Sequence, residues 1–595
     1  MSDGERLQVE ISYPTELQSG LRAKGPFPVL LTRDPYQGAP VGLLQTAAGT
    51  ASGNSAFGAY YAQHGYIFVH ENIRGSGGRA GFGASDGSAQ LFDPRSRLDG
   101  LEMAYWAADP RNLAHSDGRV GLHGCSALGI SQQASLTELG RRIRSHERVY
   151  VPGPTTTDEG KEVDATLKTN PIKVAIPACN NGDFYRDTLF DGGIPGLTWD
   201  LFPLQQVFGA VNFSNPTANT MAHQYLIDVL AGGDMAYDRQ WYRDRNWVRQ
   251  ADDLARTGVP LLMWLGSEEP GTVGSPQLYA ALQNAAQGRD IRLPMDPNAQ
   301  VSPKYQMIMG DWGHGGGLDD GIQLEWYETW LKGVDTGLQT TNRPLHFKEL
   351  PSGPGARWIN MSSYPMTTSP NAYYLGAGGT ASERPLSASS SVTLPWAPQI
   401  STSWDLTAAL TKDVTFWGPS AVKVWASTTG TNLQLAAALV DVAPDGSTTE
   451  ITHGSALASR RHLDTSRSWK TKSGLPLAPY LSLQDDQFVK PGEDVEFQFP
   501  LQPRIWRLKT GHLLRLVLRT QFPTQDCTKA AIGRPGGCEW TVPMLRTLPG
   551  VYTIKFGGKY PAVVTVPLAP SSTLKTARAG VTPTSGGVVL PQDWR

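Results

Sequence analysis

Two rhythms of apolar and polar positions divide the chain. In the first third, short apolar runs alternate with stretches of helical spacing. "FPVLLTRDPY" predicts a strand ending in a turn, and "AYYAQHGYIFVHENIRG" predicts a helix end, a turn and a second strand. In "DGLEMAYWAADP", Leu101, Ala104, Tyr105 and Ala108 share one helix face. "GRVGLHG" predicts a short buried strand running into a turn at Ser126, with a helix-compatible stretch after it. This alternation predicts an α/β fold, a mostly parallel sheet with helices on both faces.

The rhythm breaks between 146 and 245, which is loop-rich and then helical, with "ANTMAHQYLIDVLAGG" and "DRQWYRDRNWVRQADDLA" as its clearest helices. Strand patterns return in "VPLLMWLGS" and "YQMIMGDWGH", and "GIQLEWYETWLKGVD" predicts a closing helix with a glycine near its C-terminus. Beyond Pro344 the grammar becomes short alternating segments between Gly, Pro, Ser and Thr, such as "AVKVWAST", "LQLAAALVDV", "EFQFPLQP" and "LLRLVLRT". That pattern predicts an all-β sandwich or jelly roll. The expected division is a core over 1–145 and 246–345, a helical lid inserted at 146–245, and a C-terminal jelly roll over 346–595.

The stretch "GLHGCSALGIS" carries candidate chemistry. A nucleophile elbow needs small neighbours, because its serine adopts unfavourable backbone angles while strand and helix approach closely. Here the spacing is G-x-S-x-x-G, one residue longer than the usual G-x-S-x-G. On context alone, Ser126 reads either as a nucleophile or as a structural serine. A serine nucleophile needs a histidine to take its proton and a carboxylate to orient that histidine, in the chain order Ser, acid, His. His314, in the glycine-rich "GDWGHGGG" behind an apolar strand, stands where a mobile, accessible imidazole is expected. His123 lies in the strand before Ser126 and is expected to pack in the core. Only Glu268 and Glu269 follow the preceding strand, and spacing does not separate them. Asp311 is expected to shape its loop, and Asp319 and Asp320 to start the following helix, where carboxylates suit the dipole.

Composition narrows the classes. With 595 residues several domains are expected, and a net charge of −2 with no basic stripe gives no reason to expect nucleic acid. No apolar run is long enough to span a bilayer. The N-terminus lacks the pattern of a secretory signal. Met1 stands close to the first strand, "LQVEISYP", so a cytoplasmic protein and a secreted one whose leader has been removed both fit. Of the four cysteines, Cys125, Cys179, Cys527 and Cys538, the last two bracket the turn-rich "TKAAIGRPGG". That loop could join them in a disulfide; two unrelated thiols are the alternative. No cysteine or histidine spacing suggests a zinc site. "RGSGGRAGFG" departs from the dinucleotide-binding spacing, so no nicotinamide cofactor is expected.

Taken together, "DGERLQVEISYP", "PVLLTRDPYQ", "NIRGSGG", "GLHGCSALGISQQ", "DFYRDTLFDGG", "MIMGDWGH", "DVTFWGPSAVKVWAST" and "KTGHLLRLVL" resemble the cocaine esterase and X-Pro dipeptidyl-peptidase group, the CocE/NonD or S15-type serine hydrolases. The resemblance spans nearly the whole chain. It implies an α/β-hydrolase core with a helical lid and a C-terminal jelly-roll sandwich. The family elbow, G-x-S-Y-x-G, implies Ser126 as nucleophile, with the Ala127 N–H and the Tyr36 hydroxyl donating to the oxyanion. Its G-x-Y-D-G acid turn aligns with Glu269 rather than Glu268. Two departures stand out: Glu replaces Asp as the acid, and Ala127 replaces a tyrosine, which predicts extra room beside the nucleophile. The implied activity is ester hydrolysis through an acyl-enzyme, with X-Pro dipeptidyl-peptidase or other amide hydrolysis as alternative. No metal or organic cofactor is implied, and the partner is a small ester or amide. A homo-oligomer stays open. A reading of another class also stands, a degenerate hydrolase whose jelly roll serves binding.

Overall fold

The computed structural model describes residues 1–16, 18–35, 54–76, 85, 92–155, 158–195, 224–229, 231–267, 269, 271–351, 353, 355–397, 400–520 and 548–575. Its first unit is built on a nine-stranded sheet. The strands are β1 (Val9–Ser12), β2 (Phe27–Asp34), β3 (Ile67–Asn72), β4 (Ser116–Leu122), β5 (Ile172–Ala175), β6 (Leu261–Gly266), β7 (Tyr305–Gly310), β8 (Leu345–Lys348) and β9 (Trp358–Met361). They lie in the order β1-β3-β2-β4-β5-β6-β7-β8-β9. The outermost pairs, β1 with β3 and β8 with β9, are antiparallel, and every pair between them is parallel. Every residue of β3, β6 and β7 is buried, as expected of central strands covered on both faces.

Helices α1 (Asn54–Gln63), α2 (Pro94–Ala108), α3 (Ala127–Ser145), α4 (Gly274–Ala286) and α5 (Asp320–Tyr327) accompany the sheet. Local chemistry sets their ends. The Asp93 carboxylate accepts the Ser96 N–H at 2.6 Å with Pro94 behind it, and Asp319 caps α5 by accepting the Ile322 N–H at 2.9 Å. Past α5 the chain continues as a widened turn, Glu328–Lys332, that stops at Gly333 in the left-handed region (φ 74°).

The C-terminal unit is a sandwich of antiparallel sheets, one of eight strands and one of four. Its spine is the long pair Val414–Thr428 and Val495–Leu508, with a bulge between Gly418 and Ser420. In Leu513–Arg519 buried residues alternate strictly with half-buried ones, the two-residue period that the sequence displays.

Three boundaries differ from the sequence expectation. The span assigned to the lid contains β5, a central strand only four residues long. The core sheet runs past 345 to take in β8 and β9, because β8 pairs in parallel with β7 before the chain leaves for the sandwich. The helix expected over 238–255 is two short ones, Gln240–Arg243 and Ala251–Arg256. Tertiary bonds draw the residues between them inward: Asn246 Nδ2 donates to Asp183 Oδ2 at 2.7 Å, and the buried Trp247 donates to Asn181 Oδ1 at 3.1 Å.

Candidate active site

Ser126 stands between β4 and α3 with φ 63° and ψ −130°. A non-glycine residue held there stores on the order of 1–3 kcal/mol of strain, which the surroundings must enforce. They do so through the neighbouring strand exit. The Ser126 N–H donates to the Ala178 carbonyl at 3.1 Å, and the Ala178 N–H donates to the Gly124 carbonyl at 3.1 Å. The two glycines answer close approaches. Gly124 has φ 140°, and a Cβ there would lie 2.4 Å from that of Leu128. A Cβ on Gly129 would lie 2.1 Å from the Ala178 carbonyl oxygen. The second glycine therefore serves the contact between α3 and the β5 exit, which explains its place one residue later than usual.

Glu269 lies three residues past β6 and is 1% exposed. Its longer side chain is taken up by folding back on its own turn, where Oε1 accepts the Gly266 N–H at 2.9 Å. Oε2 lies 3.1 Å from His314 Nδ1. His314 follows β7 and keeps 18% of its side chain exposed. Three of the glycines near it, Gly310, Gly316 and Gly317, together with Gly266, make room for Trp312. A Cβ on Gly310 would overlap the Trp312 indole at 1.7 Å, one on Gly317 would approach it to 2.4 Å, and one on Gly266 would meet the Trp312 carbonyl at 2.0 Å. Trp312 in turn faces Trp264 and Trp358, at ring separations of 6.2 and 6.3 Å.

The sequence reading missed a bridge. Cys125, immediately before Ser126, forms a disulfide with Cys179 at the β5 exit, across 54 residues and a Cα separation of 5.0 Å. Cys179 Sγ, a Glu269 carboxylate oxygen and a His314 ring nitrogen all lie within 4.8 Å of one another. The acid–imidazole pair thus sits against the sulfur that is tied to the serine turn. Ala127 opens α3, where a helical N–H has no intrahelical acceptor. The residue is only 7% exposed and packs in the main apolar core. His123 is a core residue as expected: its Nδ1 lies 3.0 Å from the Tyr327 hydroxyl, and burial pushes its pKa down to about 4. Tyr36, Glu268, Cys527 and Cys538 lie outside the described residues.

A second carboxyl also escaped the sequence reading. Asp187 is half-buried on the wall of a cavity that Glu269 also lines, and it accepts the N–H groups of Gly274, Gly182 and Asp183 at 2.7, 2.8 and 2.9 Å. Burial, with the Asp183 charge added, pushes its pKa up to about 7. The cavity lies between cap, core and sandwich and also touches Val273, Ser455 and Tyr480. Ser126 and His314 are not on that cavity's wall, so its position does not make it the acyl site.

A parallel sheet of this strand order with a C-terminal β-sandwich defines an α/β-hydrolase with a jelly-roll extension. Residues 3–144 match the X-Pro dipeptidyl-peptidase (S15 family) model, and residues 331–564 match that of the X-Pro dipeptidyl-peptidase C-terminal non-catalytic domain. With both matches in this order on one chain, the protein carries an S15-type X-Pro dipeptidyl-peptidase domain followed by the C-terminal domain named for the same peptidases. No curated protein matches the sequence significantly. Among solved structures, a CocE/NonD family hydrolase from Staphylococcus aureus superposes with a TM-score of 0.71 at 18% identity, covering 96% of this chain and 92% of that one. An alpha-amino acid ester hydrolase gives 0.62 at 16% identity, covering 96% and 95%. An aminopeptidase from a marine sediment Thaumarchaeota archaeon gives 0.61 at 14% identity, covering 95% and 96%. At these identities the structural likenesses establish the fold. Among the described residues, no helix is long and apolar enough to cross a membrane.

Proposed function

We propose that the protein cleaves carboxylic esters through a Ser126–His314–Glu269 triad and an acyl-enzyme. Ser126 attacks the carbonyl carbon as His314 Nε2 takes its proton, while Glu269 holds Nδ1 and stabilises the imidazolium. The Ala127 N–H and the Tyr36 hydroxyl receive the developing oxyanion, where each donor is worth about 3 kcal/mol. The imidazolium then protonates the leaving group, and water attacks the acyl-enzyme by the reverse path. The observation that carries this reading is the buried Glu269 carboxylate 3.1 Å from His314 Nδ1, packed against the disulfide that adjoins a serine with φ 63°.

The decisive experiment is labelling of the folded protein with a fluorophosphonate probe, expected in the wild type and lost in Ser126→Ala. No labelling of folded wild type, or undiminished labelling of the variant, overturns the triad and favours a degenerate hydrolase that binds through its sandwich. Amide cleavage is the second reading, because both matching models are named for an X-Pro dipeptidyl-peptidase. Comparing p-nitrophenyl esters with Ala-Pro-p-nitroanilide separates the two. Preferential cleavage of the anilide makes amide hydrolysis the principal activity and ester cleavage the secondary one.

A further inference from the structure

We propose that opening the Cys125–Cys179 disulfide converts this site into a zinc site, made of Cys179, His314 and Glu269, that holds the hydrolase off. One sulfur, one ring nitrogen and one carboxylate oxygen already lie within 4.8 Å of one another. These are the donor types zinc selects, at about 2.3 Å for thiolate, 2.0–2.1 Å for imidazole and 2.0–2.2 Å for carboxylate. Tetrahedral geometry turns those lengths into separations of about 3.4 Å between nitrogen and oxygen and about 3.6 Å from sulfur to either. The Nδ1···Oε2 edge is in place at 3.1 Å. Because Nδ1 and Oε2 now face each other along a hydrogen bond, imidazole and carboxylate must each turn by roughly 40° to share a metal, and the sulfur must approach by roughly 1 Å, which rotation about the Cα–Cβ bond of a freed cysteine supplies. While bridged to Cys125, that sulfur is no thiolate and offers the metal nothing.

In the opening step a dithiol reductant attacks one sulfur of the bridge, passes through a mixed disulfide and closes to its own disulfide, leaving thiols on Cys125 and Cys179. Zinc then displaces the thiol proton of Cys179, which leaves to solvent. With the metal on Nδ1, the ring's one proton resides on Nε2. A ring protonated there cannot take the proton of Ser126, and Glu269 has exchanged the imidazole for the metal. Three protein ligands leave the fourth tetrahedral position to a water. The hydrolase is thereby silent where thiols and zinc are present and released once the bridge forms.

The effect on activity rests on the proposed triad; the metal site itself does not, so the test reads both. The full-length protein, oxidised or reduced with a phosphine that competes little for zinc, is titrated with zinc chloride. Bound metal is measured against a chromophoric chelator, and the rate of fluorophosphonate labelling is followed in parallel. The reduced wild type is expected to bind one zinc more than reduced Cys179→Ser. With zinc at ten times its Kd, labelling slows about elevenfold, and a chelator restores it. The oxidised protein is expected to lack this site. Cys125→Ser, which frees Cys179 without any reductant, is expected to bind zinc as purified, and reduced Ser126→Ala to bind it like reduced wild type. Equal zinc binding by reduced wild type and reduced Cys179→Ser, equal slowing of oxidised and reduced protein, or no site in Cys125→Ser overturns the proposal. Absence of labelling before zinc is added counts against the triad alone, because the bound-metal readout still decides the site.

Discussion

Gly129→Ala tests whether the serine turn is held by its contact with the β5 exit. The added methyl would lie 2.1 Å from the Ala178 carbonyl oxygen and 3.1 Å from that residue's carbonyl carbon and nitrogen. Real contacts of this kind stay beyond 3.0 Å, so helix or strand exit must retreat by about 1 Å, and both partners are backbone. Ala178 is also the residue whose carbonyl receives the Ser126 N–H at 3.1 Å, so the retreat falls on the nucleophile. Overpacking of this size costs about 1–3 kcal/mol of stability. A misplacement of about 1 Å in a reacting group costs on the order of 100-fold in rate. Gly140→Ala on the same helix provides the control: its methyl would lie 1.7 Å from the Asp253 carbonyl oxygen, yet it sits eleven residues on, about 16 Å along the axis. Both variants are expected to lower the melting temperature, while only Gly129→Ala slows fluorophosphonate labelling of the folded protein by about two orders of magnitude. Labelling of Gly129→Ala within about threefold of wild type, or an equal loss in Gly140→Ala, refutes the reasoning.

Two further outcomes follow from the site. Glu269→Gln keeps an oxygen for the Gly266 N–H but presents an amide to His314 Nδ1, favouring the wrong tautomer; hydrolysis of a p-nitrophenyl ester should fall by on the order of 10⁴-fold with little change in melting temperature, and a loss below about tenfold removes Glu269 from the mechanism. Asp187 holds its proton in the fold up to about pH 7, whereas an ordinary carboxyl releases it near pH 3.9. Its contribution is therefore complete below about pH 4 and is lost as pH rises through about 7, a span of up to roughly 4 kcal/mol. Asp187→Asn has no proton to lose, so the stability advantage of wild type over this variant should shrink between pH 5 and pH 8; an unchanged gap in thermal unfolding contradicts the raised pKa.

Local pattern was enough for the architecture and for much of the site. Alternation in segments such as "LLRLVLRT" specified sandwich strands, because a two-residue period leaves one face to bury. His314 and the acidic pair Glu268–Glu269 were legible because each follows an apolar strand, and such strands of a parallel sheet end at one edge; pattern left the pair unresolved, and only the family resemblance favoured Glu269. What the sequence could not show are relations between distant segments. Cys125 meets Cys179 only because β4 and β5 are neighbours, a strand order that no spacing of 54 residues encodes. Four-residue β5 reads as loop until the burial between its neighbours is known. The helix that breaks over 244–250 has helical spacing throughout, but buried partners for Asn246 and Trp247 outweigh local propensity. Gly310 and Gly317 look like freedom in one dimension and prove to be space for an indole in three. Periodicity travels with the chain and can be read from it, whereas which side chains meet depends on the order in which strands pack, and that is settled only when the whole sheet forms.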